Sequence, residues 1–169
     1  MLTANFSVGL AALLMAGARN GAKNRYGETT SVSRSTLFDS GSGIKQSMLV
    51  PSVLYDKTTY GVFFGSGTTP PTVHDYGMES AIVGGITIAT PSDVSVTETD
   101  DYWEMSATYG ISANSDTTIS EVGLFIVYNK SSDITTSIMV DRTVLETPIV
   151  IPAGQSKQVT YTIRLNKPK

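Results

Sequence analysis

The sequence predicts an all-β fold: an antiparallel β-sandwich, jelly-roll or Ig-like, of about eight strands, with an N-terminal helix and an extended arm. Only 16% of the 169 residues are charged, and Ser and Thr are abundant, a composition that favours β-structure over solvated helices. After Ile44, short apolar runs alternate with turn residues, as in sandwiches and barrels. The length suits one well-buried domain. We therefore expect a helix and arm in residues 1–43 and a β-sandwich domain in residues 44–169.

The N-terminal segment MLTANFSVGLAALLMAGAR is apolar and ends in small side chains, as a secretory signal does. No Lys or Arg precedes Arg19, so the basic start of such a signal is missing and a short helix is favoured. Four apolar side chains at helical spacing form a stripe and are candidate assembly contacts: Phe6, Leu10, Leu13 and Leu14. The stripe either packs on its own domain or docks on a neighbouring subunit.

Residues 20–43 are rich in Gly, Ser, Thr and Asn and hold few large apolar side chains. This composition predicts a loop or an extended arm. In an assembly, such a segment can become ordered against partner subunits and add buried surface. The sequence permits either behaviour.

Alternating apolar and polar residues predict the strands that follow. The predicted strands are residues 47–55, 60–64, 82–89, 94–99, 102–111, 117–128, 137–145 and 158–166. In the last of these, one face carries Val159, Tyr161, Ile163 and Leu165. The run EVGLFIVY is apolar on both faces, which is typical of a central strand, and its Gly123 predicts a bulge or a close backbone contact.

The loop in GVFFGSGTTPPTVHDYGMES is the most conspicuous turn of the chain. It lacks the Lys-Ser/Thr of a phosphate-binding P-loop, and no apolar helix follows it. We interpret it as a structural turn, in which Gly65 and Gly67 supply permissive backbone angles while Pro70 and Pro71 stiffen the exit.

Catalytic residues are not recognisable in the sequence. The chain has one histidine, His74, and nothing pairs it with a particular serine; there is no cysteine. Glu98, Asp100 and Asp101 lack the ligand ladder of a calcium loop and fit a solvated turn. The sequence therefore predicts a protein that is not an enzyme and has no catalytic, cofactor-binding or metal site, and no cofactor.

Glu121 lies within an otherwise apolar strand. Because burying an unpaired carboxylate is costly, we expect it to have a cationic partner. Arg142 is the candidate, and a structural ion pair is a better interpretation than a catalytic acid.

Charge argues against nucleic acid as a partner. The formal net charge is −3, and the 12 Lys and Arg residues are scattered rather than gathered into a basic stripe. The N-terminal apolar run is also too short to span a bilayer. We expect neither direct nucleic-acid binding nor a membrane partner.

Several spaced motifs carry a family resemblance: GVFFGSGTTPPTVHDYGMES, ISEVGLFIVYN, VDRTVLETPIVIPAGQSKQVTYTIRLN and the opening MLTANF. In this order they resemble a family of small structural proteins of tailed bacteriophages, which have a GTGTTP turn, an I-x-E-V/F-G-L strand, R-T-V, and a terminal AG-x-x-x-x-V-T-Y-T-I strand. The resemblance spans about residues 60–166 and the first few residues. It implies a virion component, made in the host cytoplasm, that contacts other virion proteins and forms a homo-oligomer. Head decoration, neck and tail accessory roles are all consistent with it.

An alternative function is a carbohydrate-binding or adhesion sandwich at a cell surface. Tyr102, Trp103 and Tyr109 would then form a stacking platform for a glycan. The same aromatic residues also fit a hydrophobic core.

Overall fold

The computed structural model describes residues 2–4, 19–24, 26–32, 61–89, 91, 93–131 and 134–167. Nine strands lie within these residues: β1 (Arg19–Lys23), β2 (Thr29–Val32), β3 (Gly61–Gly65), β4 (Ile86–Ile88), β5 (Asp93–Glu98), β6 (Tyr102–Ala113), β7 (Thr117–Ser131), β8 (Ile134–Ile151) and β9 (Ser156–Asn166). The fold is therefore built of β-sheets, with antiparallel pairing in each.

Seven of the predicted strands coincide with β3 to β9. The eighth, residues 47–55, lies outside the described residues, as does most of the predicted N-terminal helix. The helix consequently has no support from the structure. The expected arm boundary at residue 43 also lies outside the described part of the chain.

The chain divides into two compact units. Unit 1 comprises Met1–Val83 and Thr118–Ile149, and unit 2 comprises Gly84–Thr117 and Val150–Lys169.

Unit 1 contains a hairpin in a segment for which the sequence predicts a loop or an extended arm. β1 pairs with β2 in antiparallel register from Arg19↔Val32 to Lys23↔Thr29. Asn24 closes the turn, since its Oδ1 accepts hydrogen bonds of 3.0 Å from the backbone N–H groups of both Tyr26 and Glu28. Local side-chain bonding of this kind, rather than apolar alternation, defines the hairpin.

The main sheet of unit 1 has the strand order β3-β7-β8. All five residues of β3 are buried, and so are residues 119–125 of β7. The prediction of a central strand buried on both faces is confirmed for this part of β7. Gly123 pairs with Phe63 without a register shift, and Met78 packs over it, so the glycine marks a close contact and not a bulge.

The start of the chain lies against β8. Leu2 forms a bridge with Asp141. The Thr3 N–H donates to Val140 O at 3.0 Å, and the Ala4 N–H donates to Val73 O at 2.7 Å. Residues 2–4 are thus tied to the sheet and to the loop that follows β3.

Unit 2 is organised around β6. β9 pairs with β6 over eleven consecutive residues, from Tyr102↔Asn166 to Ser112↔Ser156. β5 and β4 pair with successive parts of β6, so they occupy its other edge. Buried side chains alternate along the strand, at Ala107, Tyr109, Ile111 and Ala113.

The predicted inward face of β9 is also the more buried one. Tyr161 is buried, and Val159 and Ile163 are half-buried, whereas Thr160 and Thr162 are exposed. Burial fades toward the end of the strand, where Leu165 is 37% exposed.

Candidate functional site

The two residues that the sequence paired lie in contact on neighbouring strands of unit 1. Glu121 is on β7 and Arg142 is on β8. Their exposed fractions are 0% and 3%, and the Arg142 Nε lies 2.6 Å from the Glu121 Oε1. Because neither charge reaches solvent, each depends on the other for stabilisation.

Arg142 also holds the loop formed by residues 66–80, which we call the anchored loop. Its Nη1 donates to Asp75 Oδ2 at 2.7 Å, and its Nη2 donates to Thr69 O at 3.2 Å. The same Nη2 lies 3.6 Å from Glu79 Oε2. The planar guanidinium has five N–H donors in a fixed fork, so one side chain can bind several loop groups at once.

Glu121 binds the returning end of the anchored loop. Its Oε1 accepts the Glu79 N–H at 2.8 Å, and its Oε2 accepts the Ser80 N–H at 3.2 Å. The buried carboxylate is therefore satisfied by one cation and two backbone donors. Such compensation is what makes a charge tolerable inside a sheet.

Two loop carboxylates complete what we call the anchor cluster: Asp75, Glu79, Glu121 and Arg142. Glu79 Oε2 accepts the Thr68 and Thr69 N–H groups, each at 2.8 Å. Asp75 accepts the N–H of Thr72 at 3.0 Å and its hydroxyl at 2.7 Å. The cluster consequently fixes both the start and the middle of the anchored loop.

Gly65 and Gly67 are needed for space rather than for backbone angles, which corrects the sequence interpretation. Neither has a φ in the left-handed region. A Cβ at either position would lie 2.6 Å from the Glu121 Oε2. Pro70 and Pro71 lie between the fixed Thr69 and Thr72, a position compatible with the structural turn that the sequence predicts.

Hydrogen bonding shifts the pKa values of Asp75, Glu79 and Arg142. Partial burial raises the pKa of Asp75, but the Thr72 N–H, the Arg142 guanidinium and the Thr72 hydroxyl together lower it below its ordinary value. The pKa of Glu79 is lowered, mainly by the Thr69 N–H and hydroxyl. Burial alone would lower the pKa of Arg142. The hydrogen bonds and charges of Glu121 and Asp75 raise this pKa by more than burial lowers it, so the net shift is upward. These directions favour ionised side chains of Asp75, Glu79 and Arg142 at neutral pH.

The sequence missed Asp75 and Glu79 as members of the cluster. The only available signal was their position in a Gly/Thr/Pro-rich loop that precedes a strand. Arg142 lies 67 residues from Asp75, and Glu121 lies 42 residues from Glu79. Both contacts join the loop to a strand distant in the sequence, and the alternation of apolar and polar residues does not show where a polar loop packs.

The other candidate residues do not join this cluster. The His74 side chain is exposed, and the backbone N–H of this residue donates to the Thr72 hydroxyl at 3.3 Å. Glu98, Asp100 and Asp101 lie at the β5–β6 turn, where Glu98 pairs with Lys167 at 2.7 Å. In the described part of the chain, no group of three or more His, Asp or Glu side chains is arranged to hold a metal ion.

The three aromatic residues of the possible glycan platform do not share one surface. Tyr109 is 0% exposed, whereas Trp103 is 44% exposed. Tyr102 and Trp103 are adjacent on β6 and therefore point to opposite faces of the sheet. Arg164 lies over the Tyr102 ring at 4.1 Å, and Lys167 lies over the Trp103 ring at 4.8 Å.

Comparison of the chain with protein-family profiles, with curated proteins and with solved structures gave no match in any of the three. Among the residues that the structure describes, there is no helix with the length and apolar character required to cross a bilayer.

Proposed function

We propose that this protein is a non-enzymatic structural subunit of a tailed-bacteriophage particle, located in the virion as a capsid decoration protein or a neck or tail accessory protein. It contacts other virion proteins and its own copies. The proposal keeps the β-sandwich architecture predicted from the sequence, because the alternation of buried and exposed side chains along β6 and β9 is that of a sheet with one covered face.

One observation carries the proposal: three separated sequence motifs meet at the anchor cluster. Gly65 and Gly67 belong to GSGTTP, Glu121 belongs to ISEVGL, and Arg142 belongs to DRTV. Their polar contacts fix a loop to a sheet. The motifs that carry the resemblance thus act together as one structural device.

A loop fixed in this way is suited to a contact surface. Buried ion pairs add little net stability, but they can specify one conformation. A rigid scaffold that presents a defined loop is a common arrangement for recognition. The anchored loop presents the exposed side chains of Val73 and Tyr76. We infer that these two residues contact a neighbouring subunit.

Incorporation into particles tests this function. Particles are purified on a density gradient from cells that make the protein, and the copy number of the protein is measured by quantitative mass spectrometry. We expect a constant copy number for the parent protein and a strong loss for Tyr76→Asp. Val83→Asp is the matched control, because Val83 is exposed but outside the anchored loop. A parent protein that stays out of the particles would refute the proposal.

Exposure of Trp103 favours the second candidate, a glycan-binding surface module. A stacking residue must reach solvent, as Trp103 does. A glycan array distinguishes the two functions. Saturable binding that is lost in Trp103→Ala and kept in Tyr109→Phe would favour the module, whereas the structural proposal expects no specific binding.

A further inference from the structure

The anchored loop contains two consecutive prolines, Pro70 and Pro71, whose backbone shape is set by their own chemistry. Each proline ring holds φ at about −65°, and a residue that precedes a proline favours an extended backbone. Both prolines follow trans peptide bonds, and neither lies in a helix or a strand. Residues 69–71 therefore favour the polyproline II conformation, an extended helix that has no internal hydrogen bonds.

Polar contacts hold this proline segment at both of its ends. On one side, Glu79 accepts the Thr69 N–H and hydroxyl, each at 2.8 Å, and Arg142 donates to Thr69 O at 3.2 Å. On the other side, Asp75 accepts the Thr72 N–H at 3.0 Å and the Thr72 hydroxyl at 2.7 Å. The two prolines are thus held between two bonded threonines before any partner binds.

The surface that the proline segment offers is mainly apolar. Pro70 is exposed, Pro71 is half-buried, and Val73, two residues further along the chain, is 50% exposed. The neighbouring hydroxyl groups of Thr69 and Thr72 are bonded to loop carboxylates. A partner can therefore cover the proline rings without breaking the contacts that hold the loop.

We propose that Pro70 and Pro71 dock in an aromatic-lined groove on another protein of the particle. Segments in the polyproline II conformation are recognised by grooves of aromatic side chains. Because the anchor cluster has already ordered the segment, docking costs less conformational entropy than the binding of a flexible loop. This inference deepens the proposed function and rests on it, since it names the chemistry of the partner that the anchored loop contacts.

The aromatic residues of unit 2 in a second copy of this chain fit the prolines less well. Lys167 Nζ lies 4.8 Å from the centroid of the Trp103 ring, and the Arg164 guanidinium lies 4.1 Å from that of the Tyr102 ring. A proline that packed on the same ring face would displace a favourable cation–π contact. We therefore assign the groove to a different protein.

Replacing both prolines tests the docking. Pro70→Ala/Pro71→Ala keeps the length of the loop but removes the rings and their restriction of φ. We expect its copy number in purified particles to be at least about tenfold lower than that of the parent. Pro152→Ala is the matched control, because Pro152 is exposed in the turn between β8 and β9, and its copy number should not change. Thermal unfolding establishes that both variants are folded.

Photocrosslinking identifies the partner surface with both prolines in place, so it does not depend on how the double variant folds. The photoreactive amino acid p-benzoylphenylalanine replaces the exposed Thr68, and purified particles are irradiated. We expect crosslinks to a segment of a different particle protein that is rich in Tyr, Trp or Phe. Changing those aromatic residues to Leu should lower the copy number as the double proline variant does. Thr87, exposed on β4, is the control position and should not crosslink to that segment.

The outcomes separate this inference from the proposed function. Normal incorporation of Pro70→Ala/Pro71→Ala would overturn the inference, as would an absence of crosslinks from position 68. Crosslinks to a second copy of this chain, or to a surface without aromatic residues, would also overturn it. The proposed function survives all of these results, because the parent protein is still in the particle. A parent protein that is absent from particles refutes the proposed function and this inference together.

Discussion

At the residue scale, Arg142 joins groups from two strands and a loop while remaining almost fully buried. We predict that Arg142→Met destabilises the protein by about 3–5 kcal/mol, because it leaves Glu121 buried without a cation. Denaturant unfolding measures this change. Arg164→Met is the matched control, since Arg164 pairs with Glu104 at the surface and its loss should cost only about 0–1 kcal/mol.

The double variant Arg142→Met/Glu121→Leu separates the charge effect from packing. Removing both charges leaves neither one uncompensated, so we expect the double variant to be more stable than Arg142→Met alone. If Arg142→Met and Glu121→Leu each lower the free energy of unfolding by no more than Arg164→Met does, the anchor cluster is not a main source of the stability of the fold.

The anchor cluster also predicts a pH dependence. The folded state lowers the pKa of Asp75 and Glu79, so the unfolded chain binds protons more readily than the folded chain. This contribution to stability is complete above about pH 5, the upper end of the ordinary carboxyl range, and is lost as pH falls through the lowered folded-state values. Thermal unfolding at a series of pH values should show Tm falling with acidification.

Asp75→Asn should flatten part of that acid decline, because its side chain cannot take up the proton. Asp100→Asn, an exposed change in the β5–β6 turn, is the control and should follow the parent curve. Parallel curves for all three proteins would show that the Asp75 carboxylate contributes no pH-dependent stability.

At the scale of elements, the anchored loop packs closely against β3 and β7 because the glycines at this contact have no side chains. Gly65→Ala would place a Cβ 2.6 Å from both the Glu121 Oε2 and the Ser80 O. We predict a loss of about 1–3 kcal/mol, because part of the obstruction is backbone and cannot rotate away. Gly84→Ala meets nothing within 4 Å and should change stability by less than about 0.5 kcal/mol. Equal unfolding midpoints for the two variants would contradict the packing argument.

The sequence located the elements whose side chains alternate or are uniformly apolar. β6, β9 and the centre of β7 were recognisable because burial follows the strand period. The pairing of Glu121 with Arg142 was also accessible, since a carboxylate in an apolar strand needs a cation.

Other elements were not visible because different forces define them. The β1–β2 hairpin depends on local bonding by Asn24. β8 continues to Ile151, past the predicted end at residue 145, because the polar Glu146 and Thr147 and the proline at 148 indicated a break that the strand does not have. The reason for Gly65 and Gly67 depends on where the Glu121 side chain lies. Such effects depend on which residues of distant segments lie in contact. Composition and periodicity alone do not specify these contacts.

At the scale of the whole molecule, the apolar stripe Phe6, Leu10, Leu13 and Leu14 remains a predicted assembly contact outside the described residues. Deleting residues 1–43 is a poor test, because it removes Thr3 and the buried Ala22 from unit 1. Replacing the four apolar residues with Ser is more selective. We predict an unchanged Tm and a loss of particle incorporation. A large fall in Tm would instead place the stripe in the subunit's own core.

The measurement that decides most is a symmetry-averaged electron cryomicroscopy reconstruction of the particle. We expect this protein's antiparallel sheets at symmetry-related positions, with residues 66–80 against a neighbouring subunit. The contradicting result comes from particles purified from cells that contain much of this protein. If other proteins account for all of the density in those particles, this protein has no structural role in the virion.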